Sequence, residues 1–384
     1  MSVATSLLQD FTAQQNANVF LRAFSFPTIQ LPLAPDDERI LADRVVMMDG
    51  IGFIFQLMER GQKVAKAGDI EKWVTNSVVR RGVKQIQNTR DLLHSYMGLS
   101  LVNQFGHRDH ISPRDPEVMV GIVIYRVPAK SRAFRAARFK RNKHGGFVHI
   151  LRDADYFEIT AHFVTPTELN DYFGFRRDIL ISWDPTLTAV SEAALIGQYL
   201  SEDYSSAPDE SFERAARSHG GPTACEFSFV LDSIATSIAS QEGEYADTEG
   251  YEVLTELARL GRHDLRALKQ QVRLALESVR ADRFELPHRI VSARTGCGFL
   301  ILPLTSEFHD RTFFALESLS EASKHELDLE KQVGIGMWRE NEFVDIEWLF
   351  LNGRNLPNPY LDERLANGYP FRRSSEQKIP PIFM

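Results

Sequence analysis

Two apolar runs near the start of the chain have the length and alternation of β-strands. They are Ile40–Met48 and Ile51–Met58, and an Asp-Gly pair at 49–50 separates them. An Asp-Gly pair between apolar runs is typical of a tight hairpin, because type I′ turns need residues that tolerate positive φ. The pattern therefore predicts a hairpin that brings Asp43, in the first strand, close to Gln56, near the end of the second. An acid facing a carboxylate or amide on the next strand is an arrangement suited to a divalent metal ion.

After the hairpin, apolar residues recur at helical spacing. Asp69 is a good N-cap for a helix from Ile70 to Tyr96, whose polar side carries Lys72, Arg80, Arg81, Lys84 and Arg90. The next apolar run, Val118–Val127, is nearly continuous and fits a buried central strand. A further helix is expected at residues 3–22, before the hairpin. The predicted order is thus helix, strand, strand, helix and strand.

The rest of the pattern predicts a helical segment and then a small α/β unit. At 384 residues, more than one domain is expected. We expect 1–165 to form an α/β domain, 166–285 to be mainly helical, and 286–384 to form a small α/β domain. Strands are predicted at Gly298–Leu304, Gln332–Trp338 and Glu342–Phe350, with a helix at Arg311–Lys331. The tail after Asn352 is rich in Pro, Asn, Arg and Lys, which predicts a surface arm.

Charge is divided unevenly along the chain. Residues 1–150 contain 21 Lys and Arg against 13 Asp and Glu, a balance of +8, and the remainder carries −16. The basic part suits contact with a polyanion. The acidic part suits a protein partner or a second copy of the chain.

The most basic stretch lies between Arg126 and Lys143, with eight basic residues and no acid. Its arginines recur at helical spacing, and we expect a helix at Arg132–Arg141 that contacts a phosphate backbone, of DNA more than RNA. A solvated helix face, or one docked on the acidic half, is the alternative. The candidate nucleic-acid-binding residues are Arg132, Arg135, Arg138, Lys140, Arg141 and Lys143.

The sequence lacks the features of a membrane protein and of a disulfide-rich protein, and two further candidate sites are not favoured. No apolar run approaches the roughly 20 residues of a transmembrane helix, so no membrane contact is expected. Two cysteines do not form a disulfide framework, which favours a cytoplasmic location. Cys297 lies between two glycines, an arrangement that would suit a thiol nucleophile, but the apolar strand that follows favours a buried small residue. His107, Asp109 and His110 resemble metal ligands, yet a polar surface loop is favoured because no further ligand follows.

The order of elements resembles the αβββαβ core of the restriction-endonuclease-like, PD-(D/E)XK nuclease superfamily. The resemblance covers roughly the first 165 residues. Asp43 corresponds to the metal-binding aspartate, and Gln56-Leu57-Met58, thirteen residues later, occupies the place of the (E/Q)-x-K motif. Glu38 resembles the additional upstream acid of many members. Lys84 and Gln85 lie where many members place a glutamine that orients the motif.

This resemblance implies metal-dependent phosphodiester hydrolysis. Mg²⁺ would be held by Asp43, Gln56 and the carbonyl of Leu57. The sequence departs from the pattern at Met58, where the lysine belongs, so Lys63, Lys66 or Lys84 would have to supply that cation. Two hypotheses follow: an Mg²⁺-dependent nuclease acting on DNA, or a catalytically degenerate nuclease fold that serves as a nucleic-acid-binding or scaffold protein.

The C-terminal half is similar to a poorly characterised bacterial family. In that family a nuclease-like N-terminal domain precedes a G-F-x-x-L-P strand and a V-G-I-x strand. The matching residues here are Gly298–Pro303 and Val333–Gly336. Such architectures are common in bacterial defence against foreign DNA, so the resemblance implies that role by association.

Overall fold

The chain divides into two compact units, Met1–Gly221 and Pro222–Met384. The computed structural model describes residues 8, 22–27, 41–48, 50–60, 67–95, 99–103, 106–111, 118–127, 137–141, 146–183, 190–219 and 248–371. Both units are mixed α/β, as expected. The division differs from the three predicted regions, because the predicted helical region 166–285 is shared between both units. The helix expected at 3–22 lies almost entirely outside the described residues.

Eight strands are described in the first unit. They are β1 (Ser25–Pro27), β2 (Arg44–Met48), β3 (Ile51–Glu59), β4 (Leu99–Val102), β5 (Arg108–Ile111), β6 (Val118–Arg126), β7 (Phe139–Arg141) and β8 (Phe147–Arg152). Six of them form one sheet in the order β1-β2-β3-β6-β8-β7. Within it β3, β6 and β8 are parallel, and β2 runs antiparallel to both neighbours. The apolar run that predicted a central strand is β6, which is confirmed.

The predicted hairpin is formed by β2 and β3. Met48 pairs with Ile51, so only two residues, at 49–50, connect the strands. Gly50 has φ +83°, a left-handed conformation that glycine adopts without strain. The first strand begins later than predicted, so Asp43 immediately precedes β2 instead of lying within it. Its N–H still donates to the carbonyl of Phe55 at 3.0 Å, which extends the pairing by one residue.

A long helical segment covers one face of this sheet. It consists of α1 (Ala67–Trp73), a π-helical stretch (Val74–Gly82) and α2 (Val83–Ser95), and it matches the helix predicted at 70–96, whose last residue lies outside the described residues. Its buried side chains, among them Val78 and Ile86, share an apolar cluster with Ile54 and Val123 of the sheet. Gly121 of β6 permits this close approach, because a Cβ there would lie 2.6 Å from Ile86 Cγ2.

The opposite face of the sheet is covered by α3 (Asp153–His162) and α4 (Pro166–Trp183). The ring of Phe55 lies 5.9 Å from that of Tyr156, and the ring of Phe53 lies 6.3 Å from that of Phe173. The unit is completed by α5 (Glu192–Leu200) and α6 (Glu213–His219). The sheet is therefore enclosed between two helical layers, as the parallel strands at its centre, β3, β6 and β8, require.

Two sequence-based predictions in this unit are wrong. The polar stretch around His107 is not simply a loop, because 108–111 form β5, which pairs with β4. The basic stretch 138–141 is not helical. Its last three residues form β7 at the edge of the sheet, because they pair with β8. Arg132, Arg135 and Lys143 lie outside the described residues.

A buried ion-pair network joins α4 to α5. Glu192 accepts hydrogen bonds from Arg176 Nε at 2.7 Å, Arg138 Nη2 at 2.7 Å and Tyr172 Oη at 2.5 Å. Arg176 also donates to His149 Nδ1 at 2.9 Å. Burial would raise the pKa of Glu192, but the two guanidinium groups outweigh it and lower this pKa to about 2.

The second unit contains the predicted small α/β fold. Its helices are α7 (Thr248–Ala258), α8 (Arg262–Arg280), α9 (Thr312–Glu326) and α10 (Pro359–Asn367), and its strands are β9 (His288–Val291), β10 (Gly298–Pro303), β11 (Lys331–Glu340) and β12 (Phe343–Asn352). The sheet order is β12-β11-β10-β9, with β10 and β11 parallel and joined through α9. The predicted pairing of the last two strands is confirmed.

The tail after Asn352 lies mostly at the surface, as predicted, since α10 has no buried residue. It returns to the apolar cluster of the second unit at Phe371, which is 2% exposed. The guanidinium of Arg289 lies 3.9 Å from the centre of the Phe371 ring, a cation–π contact that the sequence pattern could not indicate. Residues 372–384 lie outside the described residues.

Substitution of Glu192 tests the buried network. We expect Glu192→Gln to lower the free energy of unfolding at pH 7 by roughly 3 kcal/mol, because it leaves Arg176 buried without a carboxylate. Since the pKa of Glu192 is lowered on folding, its contribution is present above about pH 4.5 and is lost as the pH falls towards 2. Urea unfolding at pH 7 and at pH 3 measures both effects.

The control is Glu158→Gln, which removes an exposed carboxylate from α3. It should change stability little at either pH. A difference between the wild type and Glu192→Gln that stays the same at both pH values would contradict the network's ionic character.

Candidate functional site

The side chains of Asp43 and Gln56 meet at the open end of the hairpin. Gln56 Nε2 donates to Asp43 Oδ2 at 2.5 Å, and the N–H of Leu57 donates to the same oxygen at 2.7 Å. Arg44 pairs with Phe55, so the preceding residue, Asp43, faces Gln56. The predicted closeness of these two side chains is confirmed. We call the carboxylate of Asp43, the amide of Gln56 and the carbonyl of Leu57 the Asp43 site.

The Gln56 amide nitrogen contacts both of the other groups in the Asp43 site. Besides the carboxylate, it donates to the carbonyl oxygen of Leu57 at 3.1 Å. The amide oxygen, by contrast, is buried and has no hydrogen-bond partner among the described residues. Buried polar atoms are normally paired, so this oxygen marks a place where a donor or a cation would be stabilised.

The electrostatics of the site are those of one half-buried carboxylate. Burial raises the pKa of Asp43, while the N–H of Leu57 and the positive charge of Arg44 act in the opposite direction. Arg44 itself donates to Ser25 Oγ at 3.1 Å. Glu38, predicted to add a second acid, lies outside the described residues.

Helix α2 holds the residues that precede Asp43. Gln85 Nε2 donates to the carbonyl of Leu41 at 3.2 Å, and the N–H of Ala42 donates to Thr89 Oγ1 at 2.8 Å. Thr89 in turn donates to the carbonyl of Gln85, one helical turn earlier. Sequence reasoning named Gln85 but missed Thr89. The i, i+4 spacing of two polar residues on one helix face is the feature that could have indicated it.

The position expected to carry lysine is filled by an apolar contact. Met58 is half-buried and packs against the apolar cluster under the helical layer. Lys84 is exposed on α2 and lies about 100° around the helix from Gln85. It makes no hydrogen bond or ion pair with any residue that the structure describes. Lys63 and Lys66 lie outside the described residues.

The predicted nucleic-acid-binding residues have different environments. Lys140 and Arg141 are exposed on the edge strand β7. The guanidinium of Arg138 donates hydrogen bonds to Glu192 and to the carbonyl of Val190. These donors are therefore used within the protein and are not available to a phosphate. The helical layer adds an exposed basic surface formed by Lys72, Arg80, Arg81 and Lys84.

A further candidate from the sequence, the Cys297 thiol, has the environment of a core residue. Cys297 is fully buried, and burial raises the pKa of its thiol, which fits a small core residue and not a nucleophile.

No group of three His, Cys, Asp or Glu side chains that could hold a metal is found within the described ranges. The Asp43 site differs from such a group, because an amide and a peptide carbonyl accompany its single carboxylate. No helix in those ranges is long and apolar enough to span a bilayer.

Thr89 can be tested as a support of the site. We expect Thr89→Val to lower the free energy of unfolding by about 1–3 kcal/mol, because the N–H of Ala42 loses its buried acceptor. Hydrogen exchange should show faster exchange of that amide. The control is Thr255→Val, which removes a hydroxyl that donates to a carbonyl one turn back in its own helix. Equal losses in the two variants, with unchanged exchange at Ala42, would contradict this role.

Comparison with known proteins gives no family for the chain: no protein-family model, curated protein or solved structure matches it. The function must therefore be inferred from the geometry of the Asp43 site and from the charge around it.

Proposed function

We propose that the first unit is an Mg²⁺-dependent nuclease that hydrolyses phosphodiester bonds in DNA. The observation that carries the proposal is the convergence of the Asp43 carboxylate and the Leu57 carbonyl on the Gln56 amide. The order of β1, β2, β3, the helical segment and the parallel strand β6 supports it, because the αβββαβ core has this order after its first helix; here the separate β4–β5 pair is inserted before β6. Gln85 supports it as well, since it contacts the segment that leads into Asp43.

The oxygen atoms of the site suit Mg²⁺. This ion prefers oxygen ligands and is usually bound by one or two carboxylates, with water completing its coordination. Asp43, Gln56 and the carbonyl of Leu57 would hold it, and the unpartnered Gln56 Oε1 is the atom that most needs a positive neighbour. When bound, the ion would polarise the scissile phosphate and acidify an attacking water.

The residues of the chain would position the substrate and offset its charge. Gln85 and Thr89 hold the backbone ahead of Asp43 and so keep the carboxylate oriented. We assign to Lys84 the cationic role that lysine has in the nuclease pattern, since its exposed side chain has no hydrogen bond or ion pair among the described residues and it belongs to α2, which contacts the backbone ahead of Asp43. The exposed basic residues of the helical layer would contact the DNA backbone.

Cleavage of plasmid DNA in Mg²⁺ or Mn²⁺ tests the proposal. We expect Asp43→Asn to reduce the rate at least about 100-fold, because the only described carboxylate of the site becomes neutral. Lys84→Ala should reduce it by about 10- to 100-fold. The control Asp91→Asn changes an exposed acid on the same helix and should leave the rate unchanged. If the wild type and Asp43→Asn cleave equally, the catalytic assignment fails.

A second candidate is a catalytically degenerate nuclease fold that binds nucleic acid or acts as a scaffold. The observation in its favour is that Met58 occupies the position where the nuclease motif has lysine. Its methyl group packs near Gly82, where a Cβ would be 3.5 Å from Met58 Cε. This candidate predicts DNA binding without cleavage. Either candidate agrees with a role in bacterial defence against foreign DNA, which the C-terminal resemblance suggests by association only.

Salt dependence of DNA binding tests the basic surface that both candidates need. We expect the double variant Lys140→Ala, Arg141→Ala to bind DNA more weakly and to reduce the slope of log K against log salt by about one per lost phosphate contact. The control is Arg177→Ala, which removes an exposed arginine of α4 that pairs with Asp178. Salt-independent binding, or none, would count against both candidates.

A further inference from the structure

The Gln56 amide stands between two oxygens that a cation would need. Its nitrogen donates to Asp43 Oδ2 at 2.5 Å and to the carbonyl of Leu57 at 3.1 Å, so both of its N–H groups are used. An amide nitrogen carries two donors and accepts nothing. It therefore satisfies the carboxylate and the carbonyl in the way that a positive ion would.

The oxygen of the same amide is the unsatisfied atom. Gln56 is 3% exposed, and its Oε1 accepts no hydrogen bond from the residues that the structure describes. Rotation of the amide by about 180° exchanges nitrogen and oxygen without moving the rest of the side chain. The rotated amide would present a third oxygen to the carboxylate and the carbonyl. Three such oxygens repel one another without a cation and form a ligand set with one.

We propose that the Gln56 amide is a two-position switch, which closes the Asp43 site when no divalent cation is present and becomes a ligand when one binds. The inference rests on the metal site of the proposed function. In the closed position the cation must displace two hydrogen bonds, one of them to a carboxylate. Mg²⁺ binding is therefore weaker than the same oxygens would otherwise allow.

The choice of glutamine over glutamate has a physical consequence. A glutamate would have no N–H groups to close the site, and two facing carboxylates would repel each other in the cation-free protein. The same second charge would strengthen cation binding, because affinity rises with the number of charged ligands. Glutamine thus gives a site that is stable without a cation but binds one less tightly.

The substitution Gln56→Glu separates the switch from the metal site. Thermal unfolding is followed while MgCl₂ or MnCl₂ is added to the full-length wild type and variant. We expect the variant to unfold at a lower temperature without a cation, and its apparent Kd for Mg²⁺ to be at least about tenfold lower. In the wild type, the side-chain amide resonances of Gln56 should shift as Mg²⁺ saturates, because Nε2 leaves Asp43.

Gln198→Glu is a matched control. Gln198 is fully buried in the same unit, its Nε2 also donates to a backbone carbonyl, that of Ser206 at 2.8 Å, and its Oε1 also has no partner among the described residues. Among the described residues it has no carboxylate as a hydrogen-bond partner. We expect this variant to unfold at a lower temperature and to gain no response to Mg²⁺.

The outcomes distinguish the switch from the site on which it rests. Equal Mg²⁺ affinity in the wild type and in Gln56→Glu, or unchanged Gln56 amide resonances at saturating Mg²⁺, would overturn the switch and leave the metal site standing. If neither protein responds to Mg²⁺ or Mn²⁺, the metal site of the proposed function is removed, and the switch is overturned with it.

Discussion

The pairing of β2 with β3 is the constraint on which the site depends. The pairing of Met48 with Ile51 sets the register, and that register places Asp43 opposite Gln56. Because side chains alternate across a strand, a slip of one residue would move Gln56 to the opposite face of the sheet. The buried side chains on both faces of β3 make such a slip costly, with Ile54 under the helical layer and Phe53 and Phe55 against α3 and α4.

The helical layer adds a second constraint to the same place. Gln85 and Thr89 contact the backbone at 41–42. The packing of α2 on the sheet therefore also determines the position of Asp43. The small residue Gly121 lets the helix come close enough for these contacts. The apolar core and the polar site are therefore parts of one arrangement: a change that lifts α2 from the sheet would also break the contacts that hold the backbone at 41–42, next to Asp43.

The sequence predicts elements that depend on neighbouring residues, and it does not predict contacts between residues far apart in the chain. The turn at 49–50 depends on two adjacent residues, and β6 depends on its own apolar run, so both were predicted correctly. Arg138 was assigned to a basic helix because its partner, Glu192, lies 54 residues away and leaves no local trace. The docking of Phe371 under Arg289 was missed for the same reason. In the Asp43 site, the facing pair was predictable from the hairpin, whereas the support from Thr89 needed the helix to be in place.

The two departures from the nuclease pattern have different physical consequences. Gln56 and Met58 are two residues apart on β3, so their side chains lie on the same face of the sheet. Met58 is held by apolar contacts in the core, and a lysine there would have to bring its ammonium out from beneath the helical layer. Gln56 needs only a rotation of its amide to change from donor to acceptor. Met58 is thus fixed by packing, whereas the Gln56 amide remains adjustable. Because β3 contains no lysine or arginine, a cationic side chain required by the proposed function would have to come from outside β3.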